Sequence, residues 1–162
     1  MADSDSLIVS GRTEFIAQAL KIAETTRLEL TLLSFALDPA IYGAEPFVDA
    51  VKTFLLGENR ARLRVLLNQP RLTAQGAHRL VELGRQLSSR VEFRELAYEQ
   101  LSDFRGEWVI ADGCQFLEKR NPESLVASYW QTAPLRVREK LDKYEALWNE
   151  AAPARDLQRL AI

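Results

Sequence analysis

Apolar residues recur along this chain with two alternating periods. Ser6-Leu7-Ile8-Val9 reads as a brief strand closed by Ser10-Gly11. From Arg12 the period lengthens, and Ile16, Ala19, Leu20 and Ala23 form one helical stripe that Thr25 and Thr26 end. Leu28, Leu30 and Leu32 then alternate with Glu29 and Thr31 and run on into Leu33 and Phe35, as a strand entering the core would. Asp38-Pro39 through Gly43 is a loop by composition. Pro46 suits the first turn of a helix whose stripe is Phe47, Ala50, Val51 and Phe54, stopped by Gly57 and Asn59. Leu63, Val65 and Leu67 alternate with Arg62 and Arg64 as another strand. Thr73 is a candidate N-cap for a third helix striped by Ala77, Leu80, Val81 and Gly84, and Val91 to Glu95 is a short strand.

Two apolar runs follow, Trp108–Ala111 and Gln115–Leu117, joined by Asp112-Gly113. Asp and Gly tolerate the positive φ angles of a tight hairpin turn. Residues 122–134 are mixed in character and predict no definite element. Pro134 then opens the longest helix, with Val137, Leu141, Tyr144 and Trp148 on its buried face and Glu139 and Lys143 spaced for an i,i+4 pair. Pro153 separates a last short segment. The order β-α-β-α-β-α-β, hairpin, helices predicts an α/β domain of the α+β type, a mixed sheet flanked by helices. No repeat or linker divides it, so residues 1–162 are expected to form one domain, with 1–5 disordered.

Composition narrows the class. A formal net charge of -2 argues against a surface that is basic throughout, so nucleic acid is not an expected partner, although a local patch is compatible with it. The one cysteine, Cys114, cannot form an internal disulfide and has no nearby His to lower its pKa, so it reads as inert and partly buried. No positive, apolar leader and no apolar run of membrane-spanning length is visible, which predicts a cytoplasmic protein. Trp108, Trp130 and Trp148 are expected in the core or at a subunit contact. His78, the only histidine, reads as a partly exposed residue of the third helix.

The candidate chemistry lies at the ends of the hairpin. Arg105, Glu107, Asp112 and Gly113, followed by Glu118-Lys119-Arg120-Asn121, have the spacing of the phospholipase D superfamily, one half of which the whole succession of elements resembles. That resemblance implies a nucleophilic His, a phosphate-holding Lys two positions later and an Asp five beyond, with a downstream Gly-Ser-x-Asn. It also implies two halves meeting at one site, either within one chain or in a homodimer across the hairpin end. Arg105 stands at the His position, Glu107 at the Lys position, and Asp112 and Asn121 keep the family's residues. A guanidinium stays protonated and cannot attack phosphorus, and a carboxylate would repel the substrate. Covalent phosphoryl transfer needs an activated nucleophile that these positions do not supply.

The expectation is therefore a catalytically inactive phospholipase D-like domain, acting as a binding, regulatory or scaffold module for an anionic ligand or a protein partner, with no catalytic residue, cofactor or metal. The alternative is a divergent phosphodiesterase or nuclease using Asp112 and Glu107 with metal assistance. A nuclease pattern of Asp112, Glu118 and Lys119 fails at the outset, because adjacent strand residues face opposite ways. Arg105, Lys119 and Arg120 are the candidate ligand-binding residues. The weightier expectation for them is a solvated ion-pair network with Asp103, Glu107 and Glu118.

Overall fold

The computed structural model describes residues 2–158, in which eight strands form one mixed sheet between two helical layers. The chain runs β1 (Leu7–Ser10), α1 (Gly11–Thr25), β2 (Glu29–Ser34), α2 (Glu45–Gly57), β3 (Arg62–Leu67), α3 (Pro70–Thr73), α4 (Arg79–Gln86) and β4 (Val91–Glu95). After a 3₁₀ turn at Tyr98–Gln100 come β5 (Glu107–Ala111), β6 (Gln115–Lys119), β7 (Val126–Trp130), α5 (Pro134–Glu150), β8 (Ala152–Pro153) and α6 (Arg155–Gln158). The strand order is β1-β7-β6-β5-β2-β3-β4-β8. β2, β3 and β4 are parallel, and the remaining pairs are antiparallel.

β2 is the central strand. Parallel β3 flanks it on one side and antiparallel β5 on the other, and Leu30 to Ser34 are all buried. That burial explains its near-continuous apolar sequence. One face of the sheet packs under α1, α2 and α4 through Phe15, Ile22, Phe47, Val51, Leu80 and Val81. The other face packs under α5 through Leu33, Trp108, Phe116, Trp130, Tyr144 and Trp148. All three tryptophans are therefore core residues, as expected, and Trp130 stacks on Phe116 at 5.3 Å. The Tyr144 hydroxyl donates to Leu32 O at 3.0 Å, fixing α5 against the middle of β2.

Several expectations change. The mixed segment 122–134 contains β7, which joins β1 to the rest of the sheet; Ala127 and Tyr129 go to one face and Trp130 to the other. The third helix divides into α3 and α4, and His78 is not part of it. His78 is 5% exposed and caps α4, with Nδ1 accepting from Leu80 N–H at 3.2 Å. Its Nε2 lies 2.9 Å from Leu37 O, so the proton sits on Nε2 and both ring nitrogens are engaged. Burial pushes this imidazole below its ordinary pKa. Asp3 and Ser4, in the stretch expected to be disordered, make hydrogen bonds to the segment around the start of α5. Asp3 accepts from the N–H groups of Leu135 and Arg136 at the start of α5, and Ser4 N–H donates to Thr132 O. Glu139 and Lys143 do not pair; Lys143 lies over the Phe104 ring at 5.3 Å.

No helix among the described residues is long and apolar enough to cross a membrane.

Candidate functional site

The hairpin of β5 and β6 is closed by Asp112 and Gly113, with φ of 53° and 67°, and by Cys114 N–H donating to Ala111 O at 3.0 Å. At the other end of the hairpin, Glu107 opens β5 opposite Lys119, which closes β6. Because β5 runs antiparallel to β2, Glu107 also meets the carboxyl end of β2. The chain approaches Glu107 through Gly106, whose backbone lies close against the next strand. A β-carbon on Gly106 would overlap Lys119 O and sit 2.8 Å from Arg120 O, so the position has room for glycine only.

Glu107 accepts three hydrogen bonds. The Ser34 hydroxyl and the Tyr42 hydroxyl donate to Oε1 at 2.7 and 2.8 Å, and the Phe35 N–H donates to Oε2 at 2.8 Å. Ser34 Oγ accepts in turn from Leu37 N–H at 2.9 Å. Burial pushes the Glu107 carboxyl up, while these bonds and the field of Lys119 pull it part of the way back. Burial first, and then the neighbouring Glu107, raise the Tyr42 hydroxyl well above its usual value.

Around this group lies a cleft of 410 Å³, within the range of about 300–1,000 Å³ usual for small-molecule sites. It opens between the start of α1, the loop after β2 and the loop joining β6 to β7, beside the carboxyl end of the central strand. Ligands of open α/β sheets bind at such strand ends. Val9, Phe15, Phe35, Ile41 and Ala127 give it apolar walls, and Arg12, Asp38, Glu107, Lys119 and Glu123 bring charge. Arg12 pairs with Asp38 at 2.7 Å. Arg105 pairs with Glu123 at 3.1 Å and lies over the Phe35 ring at 5.5 Å. The Glu123 N–H and the Arg105 guanidinium hold the Glu123 carboxyl below its usual range.

The hairpin candidates thus separate. Lys119 lines the cleft and Arg105 stands at its edge, whereas Arg120 is exposed and does not line it. The expected ion-pair network does not form as drawn, because Arg105 pairs with Glu123 and Glu118 pairs with Lys140 on the opposite face of the sheet. Asn121 shapes the β6–β7 loop, its Oδ1 accepting from Glu123 N–H and the Ser124 hydroxyl. Asp112 is a structural residue. Its carboxylate accepts from the N–H groups of Arg27, Leu28 and Glu29 at 2.8–2.9 Å, where β2 begins.

A metal shared by Asp112 and Glu107 is ruled out by this placement. The two residues lie at opposite ends of β5, about 17 Å apart at the usual rise of a strand. No group of three His, Cys, Asp or Glu among the described residues could hold a metal ion. Sequence reasoning missed Arg12, Ser34, Phe35, Asp38, Tyr42 and Glu123, which three separate segments bring to the cleft or to Glu107 in its wall. Only Arg12, at the start of a helix that follows a glycine, carried any local signal.

Known proteins share this architecture. The archaeal chromatin protein TrmBL2, whose structure is described as showing a novel mode of DNA binding, superposes with a TM-score of 0.64 at 16% identity over 93% of this chain. Nuc from Salmonella typhimurium, a phospholipase D family member, superposes with a TM-score of 0.62 at 10% identity, covering 92% of this chain and 98% of its own. Phosphatidylserine synthase from Haemophilus influenzae gives 0.63 at 10% identity over 98% of this chain. The chain spans 54% of the length of TrmBL2 and 41% of that of the synthase. No curated protein matches the sequence significantly. The model of a domain of unknown function, DUF7931, matches residues 11–160. The fold is phospholipase D-like, and the chain belongs to the DUF7931 family.

Proposed function

We propose that this chain is a binding domain without phosphodiesterase activity, which uses the cleft beside Glu107 to hold a ligand. One observation carries the reading: the position of the phosphate-holding lysine is taken by a carboxylate already committed to three donors of the chain's own fold. Glu107 ties Ser34, Phe35 and Tyr42 together and so shapes the cleft wall instead of presenting a reactive group. The one histidine is buried in the cap of α4, with both nitrogens in use. The Ser124 hydroxyl beside the cleft donates to Asn121, which is no base, so it lacks an activating partner. Purified protein is expected to leave bis(4-nitrophenyl) phosphate unhydrolysed, as followed by nitrophenolate absorbance. Turnover that accompanies the protein and vanishes in Lys119→Met would overturn the reading.

A further inference from the structure

Most polar groups of the cleft are already satisfied by one another. Arg12 is held by Asp38, whose Oδ1 also accepts from Ala40 N–H. Glu107 is occupied by Ser34, Phe35 and Tyr42, and Ser124 is turned to Asn121. Lys119 differs. It lines the same space directly across from Glu107 in the sheet, yet among the described residues it has no hydrogen-bond partner and no carboxylate within 4 Å. Glu107 and Glu123 act on it only through their more distant fields. An ammonium carries three donors and no acceptor. Arg12 keeps donors that Asp38 does not take, so the unused capacity on this wall is donor in kind, and of the two lining cations Lys119 is the one without a carboxylate partner among the described residues.

Much of the remaining lining is apolar. Val9, Phe15 and Ile41 are buried members of the core that line the cleft, and Leu125 at its mouth is 83% exposed. Its neighbour Val126, which also lines the cleft, is 54% exposed, so the two together leave a contiguous apolar edge uncovered. Asp38, Glu107 and Glu123 bound the same space, so a second negative charge on a guest would be repelled.

From these observations we infer that the cleft takes a small amphiphile with a single oxyanion head, such as a medium-chain carboxylate. The head sits on Lys119, and the apolar body lies along Val9, Phe15, Ile41 and Leu125. The inference rests on the binding-domain reading and specifies its ligand class. Polyanions and inorganic phosphate do not fit it, since they bring more charge than Lys119 can match and nothing for the apolar wall.

The test titrates the full chain with decanoate, decylamine, decanol and inorganic phosphate, followed by amide chemical shifts at Gly11, Lys119 and Leu125. Decanoate is expected to shift these amides, with the other three at least tenfold weaker. Lys119→Met should lose at least tenfold in decanoate affinity, Lys119→Glu should favour decylamine instead, and Leu125→Asp should weaken decanoate while the melting temperature holds. Equal binding of decanol or decylamine would overturn the charge assignment and leave a binding domain standing. Phosphate binding as tightly as decanoate would overturn the amphiphile, and a cleft that responds to none of the four would overturn the inference. Hydrolysis of the phosphodiester probe is a separate failure, of the binding-domain reading alone.

Discussion

At its first residue β2 is held by Asp112, and at its last by Glu107, two carboxylates from opposite ends of β5. Each accepts three hydrogen bonds, but their surroundings differ. Asp112 is exposed in a turn and takes only backbone N–H groups. Glu107 sits against the core and takes two hydroxyls and one N–H. Water can replace an acceptor lost at the exposed end, whereas at the buried end three donors would be stranded. One end therefore fastens a strand cheaply, while the other keeps the carboxylate-lined wall of a cleft in place. The phospholipase D spacing treats Asp112 and Glu107 as members of one set; in this chain they have parted, one to architecture alone and one to the cleft wall.

The largest effect should come from placing at the buried end the lysine that the phospholipase D pattern carries there. Glu107→Lys would set an ammonium, which cannot accept, against Ser34, Phe35 N–H and Tyr42. A charge buried without its partner costs about 3–5 kcal/mol. Urea unfolding should show a loss of that size or no folded protein. A variant as stable as the wild type would mean that the three donors turn to water, and the two ends would then be alike.

Glu107→Gln sharpens the contrast through pH. Burial raises the Glu107 carboxyl, so the folded chain holds that proton more tightly than the unfolded chain does. Its contribution to stability is fully present below the ordinary carboxylate range and is lost as pH rises through the folded value. Glutamine has no such proton and loses acceptor capacity, at a cost of about 1–3 kcal/mol. The gap between variant and wild type should be widest near pH 4 and should narrow as pH rises, as read from urea midpoints. A gap that widens with pH would show that the three bonds and Lys119 outweigh burial.

How far the sequence spoke for itself follows from where each interaction is made. The hairpin was legible because Asp112-Gly113 and its flanking apolar runs are local. So was β2, whose alternating leucines run on into Leu33 and Phe35 and whose residues 30–34 are all buried. β7 was not, because Val126-Ala127-Ser128-Tyr129-Trp130 mixes residues for two different cores with an exposed valine, which blurs the period of two. His78 misled because a histidine inside an apolar stripe looks helical, and its capping tautomer depends on Leu37, 41 residues away. Lys119 was visible as a candidate, but its lack of a partner is a property of the folded loop that sends Glu123 to Arg105. Tyr42 lies in a loop, and nothing nearby predicts that its hydroxyl reaches Glu107, 65 positions on.

At the exposed end the expected losses are smaller. Asp112→Ala removes three acceptor contacts that water can partly supply, and it places alanine at φ 53°. Loss of a comparable capping carboxylate costs about 0.5–2 kcal/mol, and because aspartate already bears the left-handed φ, alanine adds only a fraction of the penalty of about 1–2 kcal/mol. The sum should stay below the cost of Glu107→Lys, with a cooperative urea transition and an unchanged slope. A loss equal to that of Glu107→Lys would erase the distinction between the two ends.

The smallest effect belongs to the turn itself and separates dihedral strain from contact. Gly113 has φ 67° and nothing within 4 Å of where a β-carbon would stand, whereas Gly106 is hemmed in by backbone at an ordinary φ. Gly113→Ala should therefore cost only the left-handed penalty of about 1–2 kcal/mol. Gly113→Asn should recover part of it, because asparagine bonds locally in that conformation. At Gly106 the same pair of substitutions should show no recovery, since the carbonyl of Lys119 blocks any side chain. If asparagine rescued both positions equally, the crowding at the cleft end would not be what requires glycine there, and the approach of Glu107 to its three donors would depend on something other than the close packing of β5 against β6.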